Sequence, residues 1–86
     1  MKLKKEFIVH DTGDETLLVP TGSAKFSGLV KGNKTLGAIL ELLKDETNEE
    51  AVVTAMGERF DAPEEVIRLD VRKVLTELRQ IGALDE

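Results

Sequence analysis

Near the C-terminal end, Ile67, Val71, Val74, Leu78 and Ile81 are spaced four, three, four and three residues apart. That spacing predicts one unbroken buried stripe on a helix that runs to about Ile81 and stops at Gly82, a residue suited to the C′ position. Val66, Asp70, Lys73 and Glu77 flank the stripe on one side, and Arg68, Arg72, Leu75 and Arg79 flank it on the other. Leu69 falls near the outward face, where a large aliphatic residue has no packing reason to be, and a core only half explains Val66.

Upstream, Glu6–His10 (EFIVH) and Thr16–Pro20 (TLLVP) are short apolar runs joined by a polar DTGDE segment that reads as a hairpin loop. Pro20 cannot donate to a ladder and ends the second strand. A turn over Thr21, Gly22 and Ser23 leads into KFSGLVKGNKT, residues 25–35, which reads as a third strand weakened by Gly28 and Gly32. Asn33 is a suitable N-cap for a first helix reaching about Lys44, with Leu36, Ile39, Leu40 and Leu43 as its apolar face. Thr47 with Glu50 has the form of a capping box for a second helix that buries Val52 or Val53, Met56 and Phe60. Asp61 with Glu64 repeats the device for the third helix, with Pro63 in its first turn. The expected fold class is therefore α+β: a three-stranded antiparallel sheet followed by three helices, β-β-β-α-α-α. It is winged-helix-like, with the hairpin moved to the front.

At 86 residues the chain is expected to form one domain over 1–86, and with no cysteine it must hold together by packing alone. The basic start MKLKK is followed by no apolar run long enough for a signal segment or a membrane span, which fits a cytosolic, membrane-free setting. Charge is unevenly placed: residues 1–34 hold six lysines against four acids, whereas residues 47–86 hold five basic and ten acidic side chains. The sheet half is thus mildly basic and the helical half acidic, which bears on partners rather than on fold.

Catalysis finds little support. His10 is the only histidine and reads as a strand residue at a rim position, and most carboxylates fall where they cap helices or pair at i,i+4, as in Glu64–Arg68 and Lys73–Glu77. No glycine loop has phosphate-binding form, and no cofactor or metal is expected. A helix-turn-helix pair invites a nucleic-acid reading. However, the third helix begins Asp61-Ala62-Pro63-Glu64-Glu65, which sets three carboxylates where phosphates would lie. Peptide binding fits the oddities better. If the third strand lies at a sheet edge, its free N–H and C=O groups can accept another strand. Gly28 and Gly32 would let that backbone approach, Lys25, Lys31 and Lys34 would discourage self-pairing, and Val66 and Leu69 could line the far wall of a groove. The plainer reading makes Gly28 a bulge and Leu69 a scattered surface residue.

The chain also resembles the PqqD-like peptide chaperones, the RiPP recognition elements that present precursor peptides to modifying enzymes. The resemblance covers nearly the whole chain. It rests on the element order, on Phe26 followed by Asn33-Lys34-Thr35 before the AILELL helix, and on the FDAPEEV turn. It continues through Asp70-Val71, Val74-Leu75 and Leu78 to Ile81-Gly82-Ala83-Leu84. The chain departs from the family pattern at Gly32-Asn33, where many members carry Leu-Asn, and at Ala38-Ile39-Leu40, where a tryptophan is frequent. The resemblance implies a leader peptide bound as an added strand between the third strand and the third helix. The strand contribution then falls on Phe26, Ser27, Gly28, Leu29, Val30 and Lys31, and the helix wall on Val66, Leu69, Asp70 and Lys73. Asp70 matches the family's aspartate, and a purely local pairing with Lys73 is the competing role. The implied function is non-catalytic: a monomer or weak homodimer holds the leader of a ribosomally synthesised precursor for a modifying enzyme, expected to be a radical-SAM protein. The alternative is a regulatory or scaffolding module using the same edge, followed by a winged-helix nucleic-acid binder.

Overall fold

The computed structural model describes residues 1–22, 28 and 30–86. Its elements are β1 (Lys2–Leu3), β2 (Phe7–Asp11), β3 (Thr16–Pro20), β4 (Val30–Gly32), α1 (Lys34–Leu42), α2 (Glu49–Arg59), α3 (Glu64–Gln80) and β5 (Leu84–Asp85). Strands β2, β3 and β4 form an antiparallel sheet in that order, so the α+β class and its three-strands-then-three-helices order hold. A second, two-stranded sheet joins β1 to β5, with Leu3 opposite Leu84. These two-residue strands carry no readable alternation, and only the tertiary fold brings them together.

The β2–β3 hairpin is closed by a polar loop in which the Asp11 carboxylate accepts from Gly13 N–H at 2.8 Å. Phe7, Thr16 and Leu18 are buried on the face that carries the helices, while Ile8 and His10 point to the opposite, exposed face. Helix α1 lies across the inner face and touches all three strands of the sheet.

Asn33 caps α1 as expected, its side chain accepting from Thr35 N–H at 3.1 Å and Leu36 N–H at 3.2 Å. The other two caps differ from expectation. Asn48, not Thr47, caps α2 by accepting from Ala51 N–H at 2.9 Å, and Glu50 is turned toward Arg68 instead of back to Thr47. Helix α3 has no side-chain cap: Pro63 stands at the N-cap, and its carbonyl accepts from Val66 N–H at 3.0 Å and Ile67 N–H at 3.1 Å. Its other end is a Schellman motif. Ala83 N–H donates to Leu78 C=O at 2.8 Å and Gly82 N–H to Arg79 C=O at 3.1 Å, with Gly82 at φ 72°.

The buried face of α3 is Ile67, Val71, Leu75 and Leu78; Val74 and Ile81 are only half-buried. The stripe is thus rotated from the expected one toward Leu75, because α2 packs along that flank and covers it. Both Val52 and Val53 are buried on α2, with Met56 beside them, and Phe60 packs half-buried against the same core.

Two glycines set how closely α1 approaches the sheet. A Cβ at Gly37 would stand 2.5 Å from Thr16 Oγ1 on β3, and one at Gly32 would stand 2.6 Å from Leu36 Cβ and 2.9 Å from Leu36 Cγ. Alanine is the better helix former by about 1 kcal/mol, yet Gly37→Ala should lower the melting temperature because Thr16 is buried and cannot give way. In a Thr16→Ala background, which removes the clashing hydroxyl, the same change should become neutral or stabilising. Thermal denaturation of the four proteins measures that change of sign.

Candidate peptide-binding site

Among the described residues strand β4 pairs only with β3 and leaves its other edge open within the sheet. The direction of its backbone groups follows from the hairpin. Thr21 N–H donates to Glu6 C=O at 2.7 Å and Thr12 N–H to Glu15 C=O at 2.9 Å, just beyond either end of the β2–β3 ladder. Hydrogen-bonded pairs alternate along an antiparallel ladder, so Ile8–Val19 and His10–Leu17 are also bonded pairs. Thr16 and Leu18 therefore turn their N–H and C=O toward β4, where they face Gly32 and Val30. Lys31, between them, turns its N–H and C=O to the free edge.

Beside that edge lies a cleft of about 270 Å³, open to solvent. Lys31 and Gly32 form one wall, Asp70, Lys73, Val74 and Glu77 of α3 form the other, and Thr35 and Leu36 of α1 lie between them. Helix α1 packs against both β4 and α3 and so holds the two walls apart.

Of the residues expected at the site, Lys31, Asp70 and Lys73 line the cleft. Val30 is half-buried on the core side of β4, and Gly28 is exposed. Val66 and Leu69, 47% and 67% exposed, lie one helical turn before Asp70 and Lys73 and continue that face of α3 beyond the cleft. The expectations for Phe26, Ser27 and Leu29 lie outside the described residues. Gly32 lines the cleft as well, while Asn33, Thr35, Leu36, Val74 and Glu77 are lining residues the sequence reading did not single out. The i,i+3/i+4/i+7 relation of Val74 and Glu77 to Asp70 was the signal that could have found the last two.

The two flanks of α3 differ in their electrostatics. On the flank facing α2, Arg68 pairs with Glu50 and lies 3.9 Å from Glu49 and 3.8 Å from Glu64. Arg72 reaches Glu49 at 3.1 Å, and Arg79, near the C-terminal end, reaches Glu86 at 3.0 Å. The hydrogen bond from Arg68 holds the Glu50 carboxyl below its ordinary value, and Arg79 does the same to Glu86. On the cleft flank, Asp70, Lys73 and Glu77 make no ion pair among the described residues, so neither the Lys73–Glu77 pair nor a local Asp70–Lys73 pair is formed. The arginines that a nucleic-acid reader would turn to phosphate are thus occupied by glutamates. Among the described residues no group of three His, Cys, Asp or Glu is arranged to hold a metal ion, and no helix is long and apolar enough to cross a membrane.

An antiparallel sheet whose β4 edge is unpaired among the described residues, set beside a helix-walled cleft, is the arrangement of this α+β domain. The sequence agrees with a particular family of that kind: residues 15–84 match the family described as coenzyme PQQ synthesis protein D, and the chain belongs to the PqqD family. No curated protein sequence matches it. Among solved structures the chain is similar to TbiB1, determined in complex with the TbiA(beta) leader peptide, at 19% identity and a TM-score of 0.76. The similarity covers 99% of this chain and all (100%) of that one, and at such low identity it speaks to the fold.

Two outcomes follow from the two flanks. Replacing Val66 and Leu69 together by Ser should change stability by no more than about 0.5 kcal/mol, since both are exposed; denaturant unfolding checks this. Arg68→Met should lower the melting temperature at neutral pH. A carboxyl whose folded pKa is depressed stabilises above its unfolded pKa, and that contribution disappears as pH falls through the folded value. The difference between wild type and Arg68→Met should therefore vanish in acid melts taken below the carboxylate range.

Proposed function

We propose that residues 1–86 act as a single non-catalytic RiPP recognition element. In this reading the domain binds the leader segment of a ribosomally synthesised precursor by strand addition to β4 and presents it to a modifying enzyme. The observation that carries the reading is the outward N–H and C=O of Lys31 standing over the cleft: a polar backbone edge that an extended peptide satisfies with main-chain bonds. Membership of the PqqD family supports it, and so does the fold shared with TbiB1, which was solved with a leader peptide bound.

The strand contribution is assigned to Phe26, Ser27, Gly28, Leu29, Val30 and Lys31. The wall is assigned to Asp70 and Lys73, extended by the exposed apolar side chains of Val66 and Leu69. Those two would gain burial from the end of a peptide that overruns the cleft, which gives exposed aliphatic residues a use. The domain supplies a docking surface, and the chemistry belongs to the partner enzyme, for which a radical-SAM protein is the expected type. The setting is the cytosol, and the working form is a monomer or weak homodimer.

The test is an NMR titration of the labelled domain with synthetic leader segments from short reading frames beside its gene, repeated on Lys31→Pro. Proline at position 31 removes an N–H that faces the free edge and leaves the β3–β4 ladder bonds intact, a placement that edge strands tolerate. Binding should fall about tenfold or more with the melting temperature little changed. Val30→Pro, which removes a donor facing β3, should instead destabilise the fold. The Val66/Leu69 double serine variant should also bind more weakly. A folded Lys31→Pro protein with undiminished affinity would show that the peptide does not add to β4.

A further inference from the structure

On a solvated helix, Asp70 with Lys73 and Lys73 with Glu77 have the i,i+3 and i,i+4 spacings at which ion pairs ordinarily form. The opposite flank uses its opportunities: Arg68 and Arg72 are engaged with glutamates of α2, and Arg68 also lies within reach of Glu64. On the cleft flank neither pair is made, and all three charged side chains line the cavity beside the half-buried Val74. A strand entering this space removes water from them. A charge that loses water without gaining a partner is costly, so an occupant that places counter-charges against this flank is favoured over one that does not.

Spacing then decides the pattern. Along a helix, Lys73 and Glu77 are about 6 Å apart and Asp70 and Lys73 about 4.5 Å. Side chains on one face of a strand recur about every 6.7 Å, which matches the Lys73–Glu77 step and overshoots the Asp70–Lys73 step. Resting on the leader-strand reading above, we infer that Lys73 and Glu77 are the specificity-determining pair of this cleft, selecting a strand with an acidic residue over Lys73 and a basic residue two positions along over Glu77. The occupant is thus an extended peptide with opposite charges at i and i+2 on its cleft-facing side. It is not a uniformly acidic segment, which the lysines of the sheet half alone would favour.

The experiment is selection from a displayed random linear-peptide library on wild type and on the double reversal Lys73→Glu/Glu77→Lys. Both proteins are first shown to be folded by circular dichroism and melting temperature. Wild type should enrich peptides with opposite charges two residues apart. Synthetic versions should bind the double reversal about tenfold more weakly and recover when their own two charges are exchanged. Enriched peptides that bind both proteins equally but lose affinity for Lys31→Pro overturn the charge inference and leave strand addition to β4 standing. Peptides indifferent to Lys31→Pro, or a selection that enriches none, overturn both.

Discussion

Helix α1 can lie as close to the sheet as it does only because two side chains are missing beneath it. At Gly37 the helix backbone passes over Thr16, and at Gly32 the end of β4 passes beside Leu36; a β-carbon at either position would collide with a side chain held in or near the core. Glycine within a helix costs about 1 kcal/mol relative to alanine, so this close approach must serve packing that outweighs it. With α1 seated there, Ile39, Leu40 and Leu43 are fully buried, Leu18 of β3 is covered, and Asn33 is placed to cap the helix directly after the strand ends. The cleft depends on the same contact. Its floor is the first turn of α1, so a helix standing further from the sheet would lose the fixed separation between β4 and α3.

Helix α3 then divides its circumference among three tasks. Ile67, Val71, Leu75 and Leu78 close the core, Arg68 and Arg72 are bound to the glutamates of α2, and the third flank lines the cleft with Asp70, Lys73 and Glu77, which make no ion pair among the described residues. The arginine pairs lie at the surface, where individual ion pairs contribute little. They accompany the rotation that packing against α2 sets: with Arg68 and Arg72 on the α2 side, the Asp70–Lys73–Glu77 flank lies along the cleft beside β4.

Much of this was legible in the residues, and the parts that were not share a cause. The hairpin, the three helices, the Asn33 cap and the Gly82 stop are written in local pattern, where turn chemistry, capping and periodicity agree. The β1–β5 pair was invisible because two-residue strands have no period. The rotation of α3 was invisible too, since a stripe through Val74 and one through Leu75 are both regular helical spacings; only the position of α2 chooses between them. The caps fell one residue past Thr47, at Asn48, and two past Asp61, at Pro63, and Glu50 and Glu64 lie toward Arg68 instead of closing capping boxes. Asp70 and Lys73, expected on the helix wall, line the cleft, and so do Val74, which reads as core, and Glu77, which reads as half of an i,i+4 pair that does not form.

Gly32 looks like a flaw in a strand and is better understood from what stands next to it. Position 32 has no side chain, and Leu36 of α1 occupies the space a β-carbon would enter, so the apolar group there comes from the helix, one turn along. The strand that remains is three residues long, and among the described residues only Lys31 of β4 directs its backbone groups outward. A short edge ending at a helix cap and carrying an exposed lysine is a poor template for unlimited pairing with other chains. In the proposed strand addition it would still hold a partner whose side chains reach α3. On that proposal, restraint at the edge and selectivity at α3 would be complementary, because a strand that gains few main-chain bonds must be recognised by its side chains.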